Sequence, residues 1–453
     1  MPRALPHSWK SAPRISPESE GVSHPPLPQQ TVIAVVGTGA MGAGIAQVAA
    51  AAGHVVKLLD NRPGAADKAI DGIRTQFARL AEKGKLTAEA ASAAGARLIP
   101  VEQLADLADA GLVVEAIVEN LEAKQKLYAD LEAIVGPDCI FGTNTSSISV
   151  TAIGAALKRP ERLAGLHFFN PAPVMALVEI VSGLATDPAV ADTLFATAAA
   201  WGKTPVHAKS TPGFIVNRVA RPYYAEALRL AQEGAADYAT IDAVMREAGG
   251  FRMGPFELMD MIGHDVNFAV TNSVWRAFYN DPRFLPSLIQ QELVDAGFYG
   301  KKSGRGFYDY RAGAVRPTPR IEAPQAPVGK ITVFGESAAA EALAERLETC
   351  SLSFSRAPAT DGQIAEIGRA AIYLTDGRSA AQRAFETGIA NTVLIDLAHD
   401  YSTAGWLAVA VAAQCDPEAA AAAIGLLQAA GFVVCRLADV PGLAVMRTVA
   451  MLA

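Results

Sequence analysis

The feature that most constrains this chain is residues 31–44, TVIAVVGTGAMGAG, an apolar run that breaks into closely spaced glycines. Ile33, Val35 and Val36 are β-branched and uninterrupted by charge, as a strand covered on both faces requires. Gly37, Gly39 and Gly42 then follow the G-x-G-x-x-G spacing. The first permits a tight turn, the second lets backbone approach a pyrophosphate with no Cβ between them, and the third lets the next helix pack close to the strand. The helix start turns its free N–H groups toward the phosphates. Any glycine-rich strand-to-helix turn can give this spacing, so the context decides. Residues 40–52 are alanine-rich, Gly53 stops the helix, and residues 55–59 form a second apolar strand ending in Asp60. That carboxylate falls about 20 residues past the glycines, where a ribose 2′-hydroxyl is read. The set predicts a bound dinucleotide. Asp60 would repel a 2′-phosphate and so favours NAD over NADP, while Arg62 works against that preference.

The rest of the composition sets bounds. A chain of 453 residues has room for roughly two to four domains with cores of their own. Charged residues make up 19% and the net charge is −7, which argues against nucleic acid as a partner. Apolar segments are broken before the roughly 20 residues a membrane helix needs, so no membrane association is expected. Cys139, Cys350, Cys415 and Cys435 are scattered, without metal-ligand spacing. They read as buried free thiols of a cytoplasmic protein, and no metal site is expected. Residues 1–30 are rich in Pro and Ser and have no apolar h-region, which predicts a disordered leader rather than a secretory signal.

Further along, residues 65–83 have Ile70, Ile73, Phe77 and Leu80 at helical spacing. The strand LVVEAI at residues 112–117 leads to Glu119 and a helix carrying Lys124. Another strand at residues 139–142 runs into Thr143, Asn144, Thr145, Ser146 and Ser147. Polar residues at the end of a strand are where open α/β sheets bind ligands, although such residues also cap helices. His167 ends a strand at residues 163–169, and Glu179 lies inside LVEIV. A histidine between Leu166 and Phe168 reads first as a core residue. A buried acid needs a partner, however, and the neighbouring imidazole is the obvious one.

These elements predict an α/β Rossmann-type domain over residues 31–209. It is followed by an all-α domain over residues 210–310, with Asn217 in the first turn of its first helix, and a Pro-rich tether at 311–328. Residues 331–347, ITVFGESAAAEALAERL, then repeat the rhythm of residues 33–49 with only Gly335 kept from the glycines. DVPGLAVMR at 439–447 echoes STPGFIVNR at 210–218. The chain therefore reads as an imperfect duplication, with a degenerate second Rossmann-like copy over 329–438 and the start of a truncated second helical domain at 439–453. Glu336 in the phosphate turn predicts that this copy binds no dinucleotide.

GTGAMGAGIAQVAAAAGH, TNTSSI, GLHFFNP, TPGFIVNR and GKKSGRGFY, in this order, make residues 31–310 resemble the NAD-dependent L-3-hydroxyacyl-CoA dehydrogenases. With the second copy, the whole resembles the longer bacterial form, similar to the phenylacetate-pathway enzymes of that family. The resemblance implies interconversion of (S)-3-hydroxyacyl-CoA and 3-oxoacyl-CoA, with short-chain or dicarboxylic substrates of fatty acid or phenylacetate degradation. It implies His167 as catalytic base, Glu179 as its partner, and Ser146 and Asn217 as ligands of the substrate oxygen. Cofactor contacts map onto Gly37, Gly39, Ala40, Met41, Gly42, Asp60, Glu119, Lys124, Ser146, Asn170 and Lys302. The CoA lysine maps onto Lys83, while Gln76 stands where the family has a serine. A homodimer or higher homo-oligomer is also implied.

The chemistry suits these residue types. Oxidising a secondary alcohol requires loss of its proton as C3 gives up hydride, and histidine has the ordinary pKa for that task. Glu179 would fix the tautomer and stabilise the imidazolium. Asn217 comes from the helical domain, so the site is expected in an interdomain cleft. Two other readings share part of the pattern: a 6-phosphogluconate-dehydrogenase-like 2-hydroxyacid dehydrogenase, and a non-catalytic NAD- or acyl-CoA-binding scaffold. The former would place a lysine on the long helix where Asn217 stands, and the latter would not require the His, Glu, Ser and Asn set.

Overall fold

The computed structural model describes residues 24–359 and 361–453; most of the leader and its charged residues lie outside that range. The chain divides into two compact units, the first ending at Phe214 and the second beginning at Ile215.

The first unit opens with β1 (Val32–Val36), α1 (Ala40–Ala51), β2 (Val56–Leu59), α2 (Ala65–Glu82), α3 (Ala88–Ala96) and β3 (Leu98–Val101). It continues with β4 (Ala110–Glu115), α4 (Leu121–Glu132), β5 (Ile140–Thr143), α5 (Val150–Gly154) and β6 (Leu163–Phe168). It closes with β7 (Leu177–Ser182), α6 (Pro188–Ala200) and β8 (Thr204–Lys209). The eight strands form one sheet in the order β3-β2-β1-β4-β5-β6-β7-β8. All neighbours are parallel except β6 and β7, which run antiparallel. Side chains alternate across each strand, so the sheet feeds two cores. Ile33 and Val35 face Ile45, Phe77 and Leu194 on one side, whereas Ala34 and Val113 face Tyr128, Leu131 and Ile153 on the other. The strand order reverses between β1 and β4, and a dinucleotide crevice opens at such a point. Strand β8 and helices α3 and α6 were not anticipated from the sequence. Alanine-rich α3 and α6 lack a strong apolar stripe, although Thr87 and the Asp187-Pro188 pair cap them in the ordinary way.

The second unit begins with α7 (Val216–Gln232), α8 (Tyr238–Glu247), α9 (Pro255–Ile262), α10 (His264–Ala277) and α11 (Leu288–Asp295). Helix α11 starts no earlier than Leu288 because Pro286 holds Leu285 extended, at ψ 124. Next come β9 (Ile331–Phe334), α12 (Ala338–Thr349), β10 (Ser355–Ala357), β11 (Gln363–Ile367) and β12 (Ala370–Leu374). Then follow α13 (Ala380–Thr387), β13 (Thr392–Ile395), β14 (Trp406–Val411), α14 (Pro417–Ala429), β15 (Val433–Arg436) and α15 (Val445–Leu452). Their sheet runs β10-β9-β11-β12-β13-β14-β15.

This is the second Rossmann-like copy, reduced in a particular way. Antiparallel β11 sits between β9 and β12, so the crevice of the first sheet has no equivalent. Ser337 accepts a hydrogen bond from the Ala340 N–H and thereby caps α12, taking up a donor that a pyrophosphate would use. A Cβ on Gly335 would meet the Ala359 Cβ at 2.6 Å.

Residues 311–328 have no regular structure, as their prolines require, but they are docked. Arg320 N–H donates to Thr240 Oγ1, Glu322 N–H to the Val434 carbonyl, and Gln325 N–H to Gln428 Oε1. One core joins Tyr223, Leu230, Val244 and Phe256 of the helices to Tyr373, Leu394, Leu437 and Val445 of the second copy. The second copy thus gives its apolar surface to the helical segment. Cys139 and Cys435 are buried as expected, but Cys350 is exposed because it stands at the C-cap of α12, where the apolar stripe has ended. Among the described residues no helix is long and apolar enough to cross a membrane, and no cluster of His, Cys, Asp and Glu suits a metal ion.

Candidate active site

The glycine turn after β1 is shaped by backbone clearance. Gly37 has φ +96, and a Cβ on Gly42 would lie 1.8 Å from the Gly37 carbonyl oxygen, so helix and turn meet only without side chains. Gly39 is exposed, and a Cβ there would meet nothing within 4 Å. As N-cap of α1 it offers no side-chain cap, and the first N–H groups, including that of exposed Ala40, are left for an anion. A cavity of about 870 Å³ adjoins them, lined by Gly37, Thr38, Gly39, Asp60, Arg62 and Ile117 among others. An uncapped helix start and an open cavity ending at a carboxylate fit a dinucleotide. Met41 is half-buried beside them.

Asp60 is heavily engaged. Thr38 donates to its Oδ2 from both N–H (2.9 Å) and Oγ1 (2.8 Å), and Arg62 donates to its Oδ1 from N–H and Nε, each at 3.0 Å. The Arg62 guanidinium, followed by the Thr38 donors, holds this carboxyl well below its ordinary range against the effect of burial. Arg62, singled out from the sequence as a complication, is therefore Asp60's own ion-pair partner.

His167 and Glu179 face each other across the antiparallel β6–β7 ladder. Direct opposition on one sheet face brings the side chains together. His167 Nδ1 lies 2.6 Å from Glu179 Oε2, with the imidazole 5% and the carboxylate 0% exposed. A carboxylate only accepts, so it requires Nδ1–H and leaves Nε2 with the lone pair. Phe169 packs on the ring at a centroid distance of 4.6 Å and Phe214 meets it edge-on at 5.6 Å. Phe214 holds φ +49, unusual for an aromatic residue, just after Gly213 at φ +73. The sequence reading missed both aromatics. The duplication held a signal for one of them, since Leu443 repeats the turn at φ +52 after Gly442 at φ +74.

The segment after β5 is organised by Glu119. Its Oε1 accepts from Thr145 Oγ1 (2.7 Å), Ser146 N–H (2.9 Å) and Ser147 N–H (3.1 Å). Asn144 Oδ1 accepts from the Phe168 N–H at 2.9 Å, tying this segment to the end of β6. Burial pushes the Glu119 carboxyl up, but the Lys124 charge and the Thr145 and Ser146 donors outweigh it and hold the group below its ordinary range. Lys124 is 1% exposed, lying beneath the segment rather than at its surface. Asn170 is exposed just past β6, and Lys83 and Gln76 are exposed on and at the end of α2. Ser146, His167 and Glu179 thus gather at one region of the first sheet. Asn217, in the first turn of α7, and Lys302, paired with Asp265 at 2.5 Å, stand in the second unit.

The second copy lacks this pair. Asp187 and Asp416 cap α6 and α14, each followed by proline, and counting back equally sets Ala408 in the place of Glu179. The Asp396 N–H donates to the Ala408 carbonyl, so Asp396 takes the place of His167. It accepts from the N–H groups of Ala444, Val445 and Met446, becoming a cap for α15.

The family profile described as 3-hydroxyacyl-CoA dehydrogenase, NAD binding domain, matches residues 32–211, and that of the C-terminal domain matches residues 213–310. A third, the 3-hydroxybutyryl-CoA dehydrogenase reduced Rossmann-fold domain, matches residues 372–441. The 3-hydroxyadipyl-CoA dehydrogenase of Escherichia coli (strain K12) is 47% identical over 424 residues, covering 93% of this chain and 82% of that protein. The chain belongs to the 3-hydroxyacyl-CoA dehydrogenase family. Like the members of that family, the chain is an NAD-dependent oxidoreductase interconverting 3-hydroxyacyl-CoA and 3-oxoacyl-CoA. The 2-hydroxyacid dehydrogenase and scaffold readings are set aside. The crystal structure of 3-hydroxybutyryl-CoA dehydrogenase from Escherichia coli K12 aligns with a TM-score of 0.81 at 45% identity, covering 94% of this chain and 84% of that one. A probable 3-hydroxybutyryl-CoA dehydrogenase of Bacillus subtilis (strain 168) is 42% identical over 278 residues, 61% of this chain but 96% of its own length. The shorter relative aligns across nearly its whole length to well under the full length of this chain.

Proposed function

We propose that His167 is the general base in 3-hydroxyacyl-CoA oxidation and the general acid in the reverse direction. The observation that carries this reading is the buried His167–Glu179 pair, because it orients the ring and commits Nδ1. Nε2 takes the hydroxyl proton of the substrate, and Glu179 stabilises the imidazolium that forms. Ser146 and Asn217 hold the reacting oxygen, the latter from the helical segment, and so set its angle to the hydride acceptor. NAD, when bound, supplies the acceptor for the hydride leaving C3. Gly37, Gly39, Ala40, Met41 and Gly42 would cradle its pyrophosphate and Asp60 its ribose, with Glu119, Asn170 and Lys302 completing the site and buried Lys124 supporting Glu119 from beneath. Lys83 offers an exposed cation to the CoA phosphates.

The acyl group is short-chain or dicarboxylic, as the name of the 47% identical relative supports, and belongs to fatty acid or phenylacetate degradation. The protein works in the cytoplasm as a homodimer or larger homo-oligomer. The first test is oxidation of NADH by the purified chain with acetoacetyl-CoA. His167→Gln lowers kcat by roughly 10²- to 10⁴-fold, the range for general acid-base catalysis, with NADH binding intact. Near-normal turnover would sink the assignment. Comparing kcat/KM for 3-hydroxyadipyl-CoA and 3-hydroxybutyryl-CoA decides the acyl group.

A further inference from the structure

Beneath Ser146 lies a polar network whose deepest member, Glu115, has no part in the mechanism above. Glu115 ends β4 and is 0% exposed, which puts an acidic side chain fully inside the protein. Burying an ionised carboxylate is costly unless donors surround it. Three donors do: Lys124 Nζ at 2.5 Å and the Ile117 N–H at 2.8 Å on Oε1, and Thr143 Oγ1 at 2.7 Å on Oε2.

Two of these donors lead to the same place. Thr143 Oγ1 accepts from the Thr145 N–H at 3.3 Å, and Thr145 Oγ1 donates to Glu119 Oε1 at 2.7 Å. Lys124 Nζ reaches Glu119 Oε2 at 3.3 Å. The path is a closed ring running Glu115, Thr143, Thr145, Glu119, Lys124 and back to Glu115. Ser146 is tied to it by its N–H on Glu119 Oε1. A ring fixes its members better than an open chain, because no single bond can rotate without breaking another.

We propose that Glu115 is a positioning residue for the reaction, holding Ser146 from below by fixing both Thr143 and, through Lys124, Glu119. The inference rests on the role given to Ser146 above. A buried carboxylate here serves better than a neutral group, because it anchors a cation and a hydroxyl with separate oxygens. A displacement of about 1 Å in a positioned group can cost about 10²-fold in rate.

The test uses the full chain and three variants. Glu115→Gln keeps the shape but loses the charge. Thr143→Val opens the other side of the ring, and it reports on the ring even if Glu115→Gln fails to fold. In Glu115→Gln with Lys124→Met, the buried cation and its counter-charge are both gone. Each variant is measured for kcat, KM for acetoacetyl-CoA and NADH, and Tm. Both single variants should lose roughly 10- to 100-fold in kcat, with smaller changes in either KM. The double variant should recover Tm relative to Glu115→Gln without recovering kcat. A double variant that recovers both would show that Glu115 only balances the charge of Lys124. Single variants with lower Tm but wild-type kcat would reduce Glu115 to a packing role. Either result overturns the proposal. A wild-type chain inactive on acetoacetyl-CoA would instead sink the functional reading itself, before any variant is compared.

Discussion

Replacing Arg447 with methionine tests how the second copy supports the helix that carries Asn217. Arg447, on α15, donates from Nε to Glu226 at 2.6 Å and from both terminal nitrogens to Glu233 at 2.6 and 2.7 Å, both acceptors belonging to α7 or its end. Glu226 is 3% exposed and Glu233 is 39% exposed. Removing one partner of a buried pair costs about 3–5 kcal/mol. Two observations reduce that figure here. Glu226 keeps a second partner in Arg229, and the Glu233 pair is partly solvated, where such a pair contributes about 1 kcal/mol or less. The expected loss is therefore about 2–3 kcal/mol, methionine also preserving the packing of the stem. At about 1.4 kcal/mol per decade, that corresponds to roughly 30- to 150-fold faster exchange for amides opening through separation of α7 and α15. The assay is hydrogen–deuterium exchange of the intact chain followed by peptide analysis. Faster exchange should appear in both helices, with β1 and β6 of the first unit unchanged as internal controls. Exchange altered only in α15, or α7 amides within about threefold of wild type, would refute the claim that this pair locks the two helices.

Three further outcomes follow from the geometry. Gly39→Ala should keep wild-type Tm and lose NADH affinity, because its Cβ enters only open space, whereas Gly42→Ala should lose both by clashing with the Gly37 carbonyl; fluorescence titration and thermal melts separate them. Asp60→Ala should narrow the NAD-over-NADP preference, read as a ratio of kcat/KM values, and equal use of both cofactors by the wild type would contradict the ribose assignment. Burial pushes the Asp396 carboxyl up to about 6, against its four backbone donors, so its ionisation works against the folded state. Stability from this group is fully present below its unfolded value near 3.8 and is lost as pH rises through 6. Lowering the pH from 7 to 5 should therefore return about 1 kcal/mol to the wild type but not to Asp396→Asn, and equal responses in urea denaturation would refute the assignment.

The local code of the first unit was legible because local physics fixes it. The glycine turn, Asp60 at the end of β2 and the need of Glu179 for a partner all follow from spacing, backbone clearance and the cost of burying charge. The duplication was also visible, since it is a likeness of sequence to sequence. Sequence could not show that β6 and β7 run antiparallel in the register that sets His167 opposite Glu179, because pairing is chosen between segments and not within them. Nor did it disclose Glu115, which reads as one more residue of the strand LVVEAI until Thr143 and Lys124 are seen around it. The replacement of the His167 position by Asp396 was equally hidden, since it becomes visible only through the ladder to Ala408. The tether at 311–328 announced its prolines but not its docking, which depends on acceptors supplied by Thr240, Val434 and Gln428. Local conformation is written in neighbouring residues, whereas these pairings join groups far apart in the chain, and packing alone brings them within a few ångströms.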